Sequence, residues 1–122
     1  MQYKQKKILV VDDDPDIVEF LQELLVQEGY SAAITDKAEY VEKLRDSGLP
    51  DLIIIDVLLS GKDGREIVKH LKSQEETRHI PVIMFSAHPG AEKTARAAGA
   101  DDFVAKPFEI DEVLAKIAKH VL

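Results

Sequence analysis

Four short apolar runs in this chain each stop at a residue able to bind a metal ion or a phosphoryl group. Ile8-Leu9-Val10-Val11 stops at Asp12-Asp13-Asp14, and Leu52-Ile53-Ile54-Ile55 stops at Asp56. Val82-Ile83-Met84-Phe85 ends at Ser86, and Phe103-Val104-Ala105 ends at Lys106. If the runs lie side by side, Asp12, Asp13 and Asp56 concentrate negative charge that calls for a cation. Oxygen-only ligands suit a hard, partly hydrated ion, and Mg2+ keeps several waters beside one or two carboxylates. A phosphoryl oxygen can then complete its shell. Lys106 offers a point charge to phosphate, and the Ser86 hydroxyl a hydrogen bond. A carboxylate can itself be the nucleophile, forming an aspartyl phosphate. Asp56, alone at the end of its run while Asp12 and Asp13 are placed to hold the metal, is the candidate. In-line transfer of this kind rests on positioning and charge stabilisation, which the ion and Lys106 would supply.

The elements that must bring these residues together are also legible. Short, near-continuous apolar runs are the mark of strands buried on both faces of a parallel sheet. Stretches of helical period alternate with them. After Asp14-Pro15, residues Ile17, Phe20, Leu21, Leu24 and Leu25 follow one helix face, with Asp14 as N-cap, Pro15 in the first turn and Gly29 as terminator. A short strand near residues 31–34 follows. A helix then starts at about Asp36, with Ala38, Val41 and Leu44 inward, and closes at Gly48 and Pro50. Ile67, Val68 and Leu71 mark a third helix, capped by Asp63, with Gly64 in its turn. Ile110, Val113, Leu114, Ile117 and Val121 mark the last. The fourth helix, roughly residues 91–98, has only alanine at its apolar positions and ends at Gly99. Each buried alanine contributes far less than the roughly 1.5–3 kcal/mol of a buried Leu or Ile, so this helix is expected to be loosely anchored. Five βα units imply an α/β doubly wound (βα)5 sandwich of flavodoxin-like type, with a five-stranded parallel sheet in the order 2-1-3-4-5. In such sheets ligands bind beyond the carboxyl ends of the strands where the order reverses, between strands 1 and 3.

Bulk properties agree with one domain spanning residues 1–122. The net charge of −7, from 16 Lys+Arg against 23 Asp+Glu, argues against direct binding of nucleic acid. The absence of cysteine excludes disulfides and thiolate metal sites and suits the cytoplasm. Lys4, Lys6 and Lys7 precede an apolar stretch, but four apolar residues before Asp12 are too few for a signal sequence or a membrane span. The pair Asp101-Asp102 reads as shaping the loop before the last strand. His70, His79 and His120 have no partner at metal-ligand spacing and read as solvent-facing.

Val10-Val11-Asp12-Asp13, Ile55-Asp56, Gly61-Lys62-Asp63-Gly64, Phe85-Ser86-Ala87 and Gly99-Ala100-Asp101-Asp102-Phe103-Val104-Ala105-Lys106-Pro107-Phe108, in that order, resemble the receiver (CheY-like) domain of bacterial two-component response regulators. The resemblance covers essentially the whole chain. It implies that Asp56 is the phosphoacceptor, and that Asp12, Asp13, Asp56 and the main-chain carbonyl of Leu58 bind Mg2+. It further implies that Ser86 and Phe103 are switch residues, that Lys106 contacts the phosphoryl group, and that the Lys106–Pro107 bond is cis. The implied donor is a phosphohistidine on a sensor histidine kinase or histidine phosphotransfer protein. The implied role is a signalling switch rather than an enzyme with an external product, promoting its own phosphotransfer and slow autodephosphorylation. Ser86 drawn toward the added oxygens would leave space for the Phe103 ring, changing the surface of helix 4, strand 5 and helix 5 that a downstream target or output domain reads. Three positions depart from the family's usual pattern. Ser60 stands where proline is common, and Leu58 and His88 stand where polar residues influence phosphoryl lifetime.

Other readings remain open at this level. Asp12 and Asp14 also fit the D-x-D start of haloacid-dehalogenase-like phosphatases, as nucleophile and acid/base, although Pro15 follows where a small hydroxyl residue is expected. A flavodoxin-like nucleotide or flavin binder would want a Gly- or hydroxyl-rich loop in place of three aspartates. A receiver-like module that binds partners without phosphorylation is the third.

Overall fold

The computed structural model describes residues 5–44, 48–59 and 61–121. Ten main elements alternate along the chain: β1 (Lys7–Val11), α1 (Pro15–Gln27), β2 (Ser31–Thr35), α2 (Ala38–Glu42), β3 (Leu52–Asp56), α3 (Gly64–Ser73), β4 (Val82–Ser86), α4 (Glu92–Ala98), β5 (Asp102–Ala105) and α5 (Ile110–Val121). The strands form one parallel sheet in the order β2-β1-β3-β4-β5, the order expected from the sequence. Alternate residues of β1, β3, β4 and β5 feed two cores, while the edge strand β2 buries none of its residues fully. Leu9, Val11, Ile53, Ile55, Val82, Met84 and Phe103 pack with Val41, Ile67, Val68, Leu71 and Ala95 on the α2–α3–α4 side. Ile8, Val10, Leu52, Ile54, Ile83, Phe85 and Val104 pack with Val18, Leu21, Leu25, Val113 and Ile117 of α1 and α5. Burial on both faces explains why the strands carry no polar alternation. Among the described residues, no helix is long and apolar enough to cross a membrane.

Most predicted helix boundaries hold. Asp14 caps α1 by accepting the Asp16 N–H at 3.0 Å, with Pro15 in the first turn. Asp63 caps α3 through the Arg65 N–H at 2.9 Å. Gly99 ends α4 with φ of 115°, a left-handed conformation that costs other residues. The second helix is shorter than expected. It runs only over Ala38–Glu42, and Leu44 packs on the core from beyond its end. Its N-cap is Lys37, whose side chain has no acceptor, and the Lys37 N–H goes instead to the Thr35 hydroxyl at 3.1 Å. A two-residue antiparallel hairpin, Leu58–Leu59 against Lys62–Asp63, was not evident from sequence. A single 3-10 turn, Pro89–Ala91, leads into α4. Only Ala95 and Ala98 of α4 are buried, in accord with its weak apolar anchorage.

His120 departs from the sequence expectation. Its Nε2 lies 3.1 Å from Asp102 Oδ2, so it faces a carboxylate rather than solvent. The last turn of α5 brings it onto Asp102 at the start of β5, a contact invisible to sequence spacing. Asp102, with a side chain 5% exposed, is also approached by Arg96 at 3.2 Å and by Lys116 and Lys119 at 3.7 Å each. It accepts the Phe103 N–H at 3.0 Å, and Lys116 Nζ donates to the Phe103 carbonyl at 2.6 Å. Asp101, as expected for a loop-shaping acid, accepts from Lys72 Nζ at 2.9 Å and from the Val82 N–H at 2.8 Å. Burial opposes the charge on Asp102, but the His120 hydrogen bond, the Phe103 N–H and the two lysines outweigh it and hold the carboxyl below its ordinary pKa. A lowered carboxyl pKa stabilises the fold above the unfolded value of about 3.9, and that contribution is lost as pH falls through the folded value. Asp102→Asn is therefore expected to cost about 1–3 kcal/mol at pH 7, and urea midpoints should show the gap to wild type shrinking below about pH 4.

Candidate functional site

The site follows from strand register. Val11 pairs with Ile55 across β1 and β3, so the next residues, Asp12 and Asp56, emerge side by side. Asp56 pairs with Phe85 and Ser86 with Ala105, so Ser86 and Lys106 leave the sheet at the same end. Ligand oxygens of Asp12, Asp13 and Asp56 all lie within 4.8 Å of one another. Lys106 Nζ reaches into the cluster, 3.2 Å from Asp12 Oδ2 and 3.1 Å from Asp56 Oδ2. Asp12 is 2% exposed, the Asp56 side chain 13% and the Lys106 side chain 17%. Asp13 lies at the exposed mouth.

Electrostatic imbalance is built into this geometry. Burial raises the pKa of Asp12, and the neighbouring Asp56 charge adds to the rise. The Asp14 N–H, which donates to Asp12 Oδ1 at 3.1 Å, and Lys106 oppose it without cancelling it. Asp12 and Asp56 thus share one ammonium. The set contains only oxygen donors, which fits a hard divalent cation better than a soft one.

The remaining predicted residues surround the cluster. Ser86 is buried, and its hydroxyl accepts the His88 N–H at 3.0 Å. The Leu58 N–H donates to Asp56 Oδ1 at 3.3 Å, while the Leu58 side chain projects outward, 57% exposed. His88 is exposed at the rim. The Lys106–Pro107 peptide is cis. Phe103 is 4% exposed and already occupies the inward position, in the core on the α2–α3–α4 side. Ser60 lies outside the described residues. Asp14, the acid/base of the phosphatase alternative, is committed to capping α1.

Three contributors were missed by sequence reasoning. The Phe85 ring lies 4.5 Å below the Lys106 ammonium, a cation–π contact that fixes the long side chain; strand alternation put Phe85 in the core without revealing its partner. Gly64 was read as a turn residue. A Cβ there would stand 2.1 Å from the Asp56 carbonyl oxygen, so the start of α3 packs directly against the end of β3. Arg65 grips Asp63 with two bonds of 2.9 Å and donates to Thr94 of α4 at 2.8 Å. A contact spanning 29 positions has no sequence signal.

The family model for the response regulator receiver domain matches residues 8–118. The chain belongs to that family. It is 36% identical over 114 residues to the phosphate regulon transcriptional regulatory protein PhoB of Escherichia coli, covering 92% of this chain and 50% of PhoB. It is 38% identical over 114 residues to the alkaline phosphatase synthesis transcriptional regulatory protein PhoP of Bacillus subtilis, covering 92% of this chain and 47% of PhoP. The receiver thus spans about half the length of the curated relatives it matches. A solved structure of a response regulator from Chloroflexus aurantiacus superposes with a TM-score of 0.90 at 32% identity, covering 97% of this chain and 98% of that one. Thermotoga maritima TrrA, solved in complex with Mg2+-BeF, superposes with a TM-score of 0.84 at 34% identity, covering 97% of this receiver and 100% of TrrA.

Binding of a cation to the folded cluster should stabilise the receiver by mass action. Mg2+ at about 100 times its Kd is expected to add about 2.7 kcal/mol and raise Tm on the order of 10 °C. Calorimetry should show that increment lost in Asp12→Asn and Asp13→Asn. Without metal, Asp12→Asn should melt no lower than wild type, because it removes a buried charge held above its ordinary pKa.

Proposed function

We propose that this receiver is a phosphorylation-activated signalling switch that accepts a phosphoryl group on Asp56 from a phosphohistidine of a sensor histidine kinase or histidine phosphotransfer protein. The observation carrying this reading is the placement of Lys106 Nζ 3.1 Å from Asp56, inside a cluster of three carboxylates. A carboxylate oxygen of Asp56 attacks phosphorus, the P–N bond breaks, and the histidine, protonated on its other ring nitrogen, leaves as neutral imidazole. Lys106 moves its charge from the carboxylates to the phosphoryl oxygens, and the Phe85 ring and its two acidic partners keep it aimed at the site. The Ser86 hydroxyl donates to a phosphoryl oxygen. Asp12, Asp13, Asp56 and the Leu58 carbonyl would hold Mg2+, which would neutralise charge on the transferring group.

The domain promotes its own phosphorylation and slow dephosphorylation and has no external product. Added charge of roughly −1.5 to −2 draws Ser86 inward, favours the buried position of Phe103, and reshapes the α4–β5–α5 surface read by a downstream target. Leu58 and His88 flank the entrance. An apolar Leu58 gives an attacking water nothing to bond to, favouring a long-lived phosphoryl form. The reading places the protein in the cytoplasm, with no direct contact of this domain to nucleic acid.

Incubation with acetyl phosphate and Mg2+, followed by intact-protein mass spectrometry, is expected to show one phosphoryl group on wild type and none on Asp56→Asn. Label retained in Asp56→Asn but lost in Asp12→Asn would point to the phosphatase-like nucleophile instead. No label on wild type from acetyl phosphate or from a phosphohistidine donor would favour the phosphorylation-independent module. Phe103→Ala should keep the labelling and lose most of the phosphorylation-dependent change in α4 and α5, read as amide hydrogen exchange.

A further inference from the structure

We infer that Arg65 and Thr94 form a tie that holds α4 in the arrangement that accepts the Phe103 ring, and so raises the site's affinity for the phosphoryl group. The inference rests on the proposed phosphorylation of Asp56 and adds a second connection from that site to α4, separate from Ser86. Its first part is rigid. Gly64 donates to the Val57 carbonyl at 2.6 Å and packs where any side chain would strike the Asp56 carbonyl, so the start of α3 cannot shift against the end of β3.

Arg65 is fixed in turn. Asp63 accepts its Nε and Nη2 at 2.9 Å each, a bidentate grip that locks the plane of the guanidinium. This hydrogen bonding holds the Asp63 carboxyl below its ordinary pKa. The remaining nitrogen, Nη1, donates to Thr94 Oγ1 at 2.8 Å, and the same hydroxyl donates to the Ala91 carbonyl at 3.1 Å. An arm clamped at both its backbone and its head cannot follow α4, so displacement of the helix by about 1 Å breaks the bond. Since α4 buries only Ala95 and Ala98, one charged hydrogen bond is a large share of what fixes its position. In this structure the bond coexists with a buried Phe103. A tie made in only one of two arrangements raises the population of that arrangement, and with it the apparent affinity of any ligand that prefers it.

The test is calorimetric titration of wild type, Thr94→Val, Thr94→Ser, Arg65→Met and the Arg65→Met/Thr94→Val double variant, first with Mg2+ alone and then with beryllofluoride in saturating Mg2+. Thr94→Val and Arg65→Met are expected to bind beryllofluoride about 3- to 10-fold more weakly, with Mg2+ affinity unchanged. Thr94→Ser, which keeps the hydroxyl, should bind like wild type, and the double variant should be no worse than the weaker single one. Equal beryllofluoride affinity in Thr94→Val and wild type overturns the tie, as does tighter binding or a parallel loss of Mg2+ affinity. Wild type that binds Mg2+ but not beryllofluoride overturns the phosphoacceptor reading itself, and the tie with it.

Discussion

Crowding of like charge at the ends of β1 and β3 is the constraint around which this receiver is organised. Parallel pairing makes Asp12 and Asp56 neighbours, and the sheet buries Asp12 while Asp13 closes the mouth. Such a cluster costs stability unless something positive enters it. Lys106 enters it and is shared between two carboxylates, those of Asp12 and Asp56. One ammonium serving Asp12 and Asp56 beside Asp13 leaves an all-oxygen set whose chemistry suits a hard divalent cation. Backbone groups act beside it: the Asp14 N–H donates to Asp12 and opposes the rise of its pKa, and the Leu58 N–H donates to Asp56.

The helices differ in how they are seated. On one face α1 and α5 bury Val18, Leu21, Leu25, Val113 and Ile117, and on the other α3 buries Ile67, Val68 and Leu71. By contrast α2 is five residues long and α4 buries alanines alone. Polar contacts replace apolar area at α4. Arg96 ties α4 to Asp102, and Arg65 ties it to the end of β3 by way of Asp63 and Gly64. Hydrogen bonds depend steeply on distance, whereas apolar burial is roughly proportional to area. A helix held mainly by hydrogen bonds therefore moves between discrete positions more readily than one seated by Leu and Ile.

Asp102 shows how charge is handled where no ligand is wanted. Its carboxylate is buried, though less so than that of Asp12, and four basic side chains and the Phe103 N–H converge on it. The outcome is opposite in sign, with the Asp102 pKa lowered and that of Asp12 raised. Excess positive partners stabilise the ionised form, while a deficit leaves room for an ion. The Asp102 cluster also holds both backbone polar groups of Phe103.

Much of this was legible in the sequence. Apolar runs of three or four residues ending in Asp, Ser or Lys marked strands and placed their functional ends together, because residue i of one parallel strand predicts which residues follow it out of the sheet. Asp14, Asp63 and Gly99 marked helix ends because capping and left-handed turns are local chemistry, and local chemistry is written in adjacent residues. The extent of α2 was not legible, since its apolar spacing continued to Leu44 while its stability depended on packing. Nor was the partner of His120, the ring beneath Lys106, the pressure of Gly64 on Asp56, or the reach of Arg65 to Thr94. Each of these joins residues of different elements whose separation is set by how helices lie on the sheet. Sequence alone determined the element order, the fold class and the chemical types gathered at the strand ends, because periodicity and residue type suffice for those. Tertiary structure alone decided which charges are compensated and which are left wanting, because compensation depends on distances of about 3 Å between side chains that only the folded packing brings together.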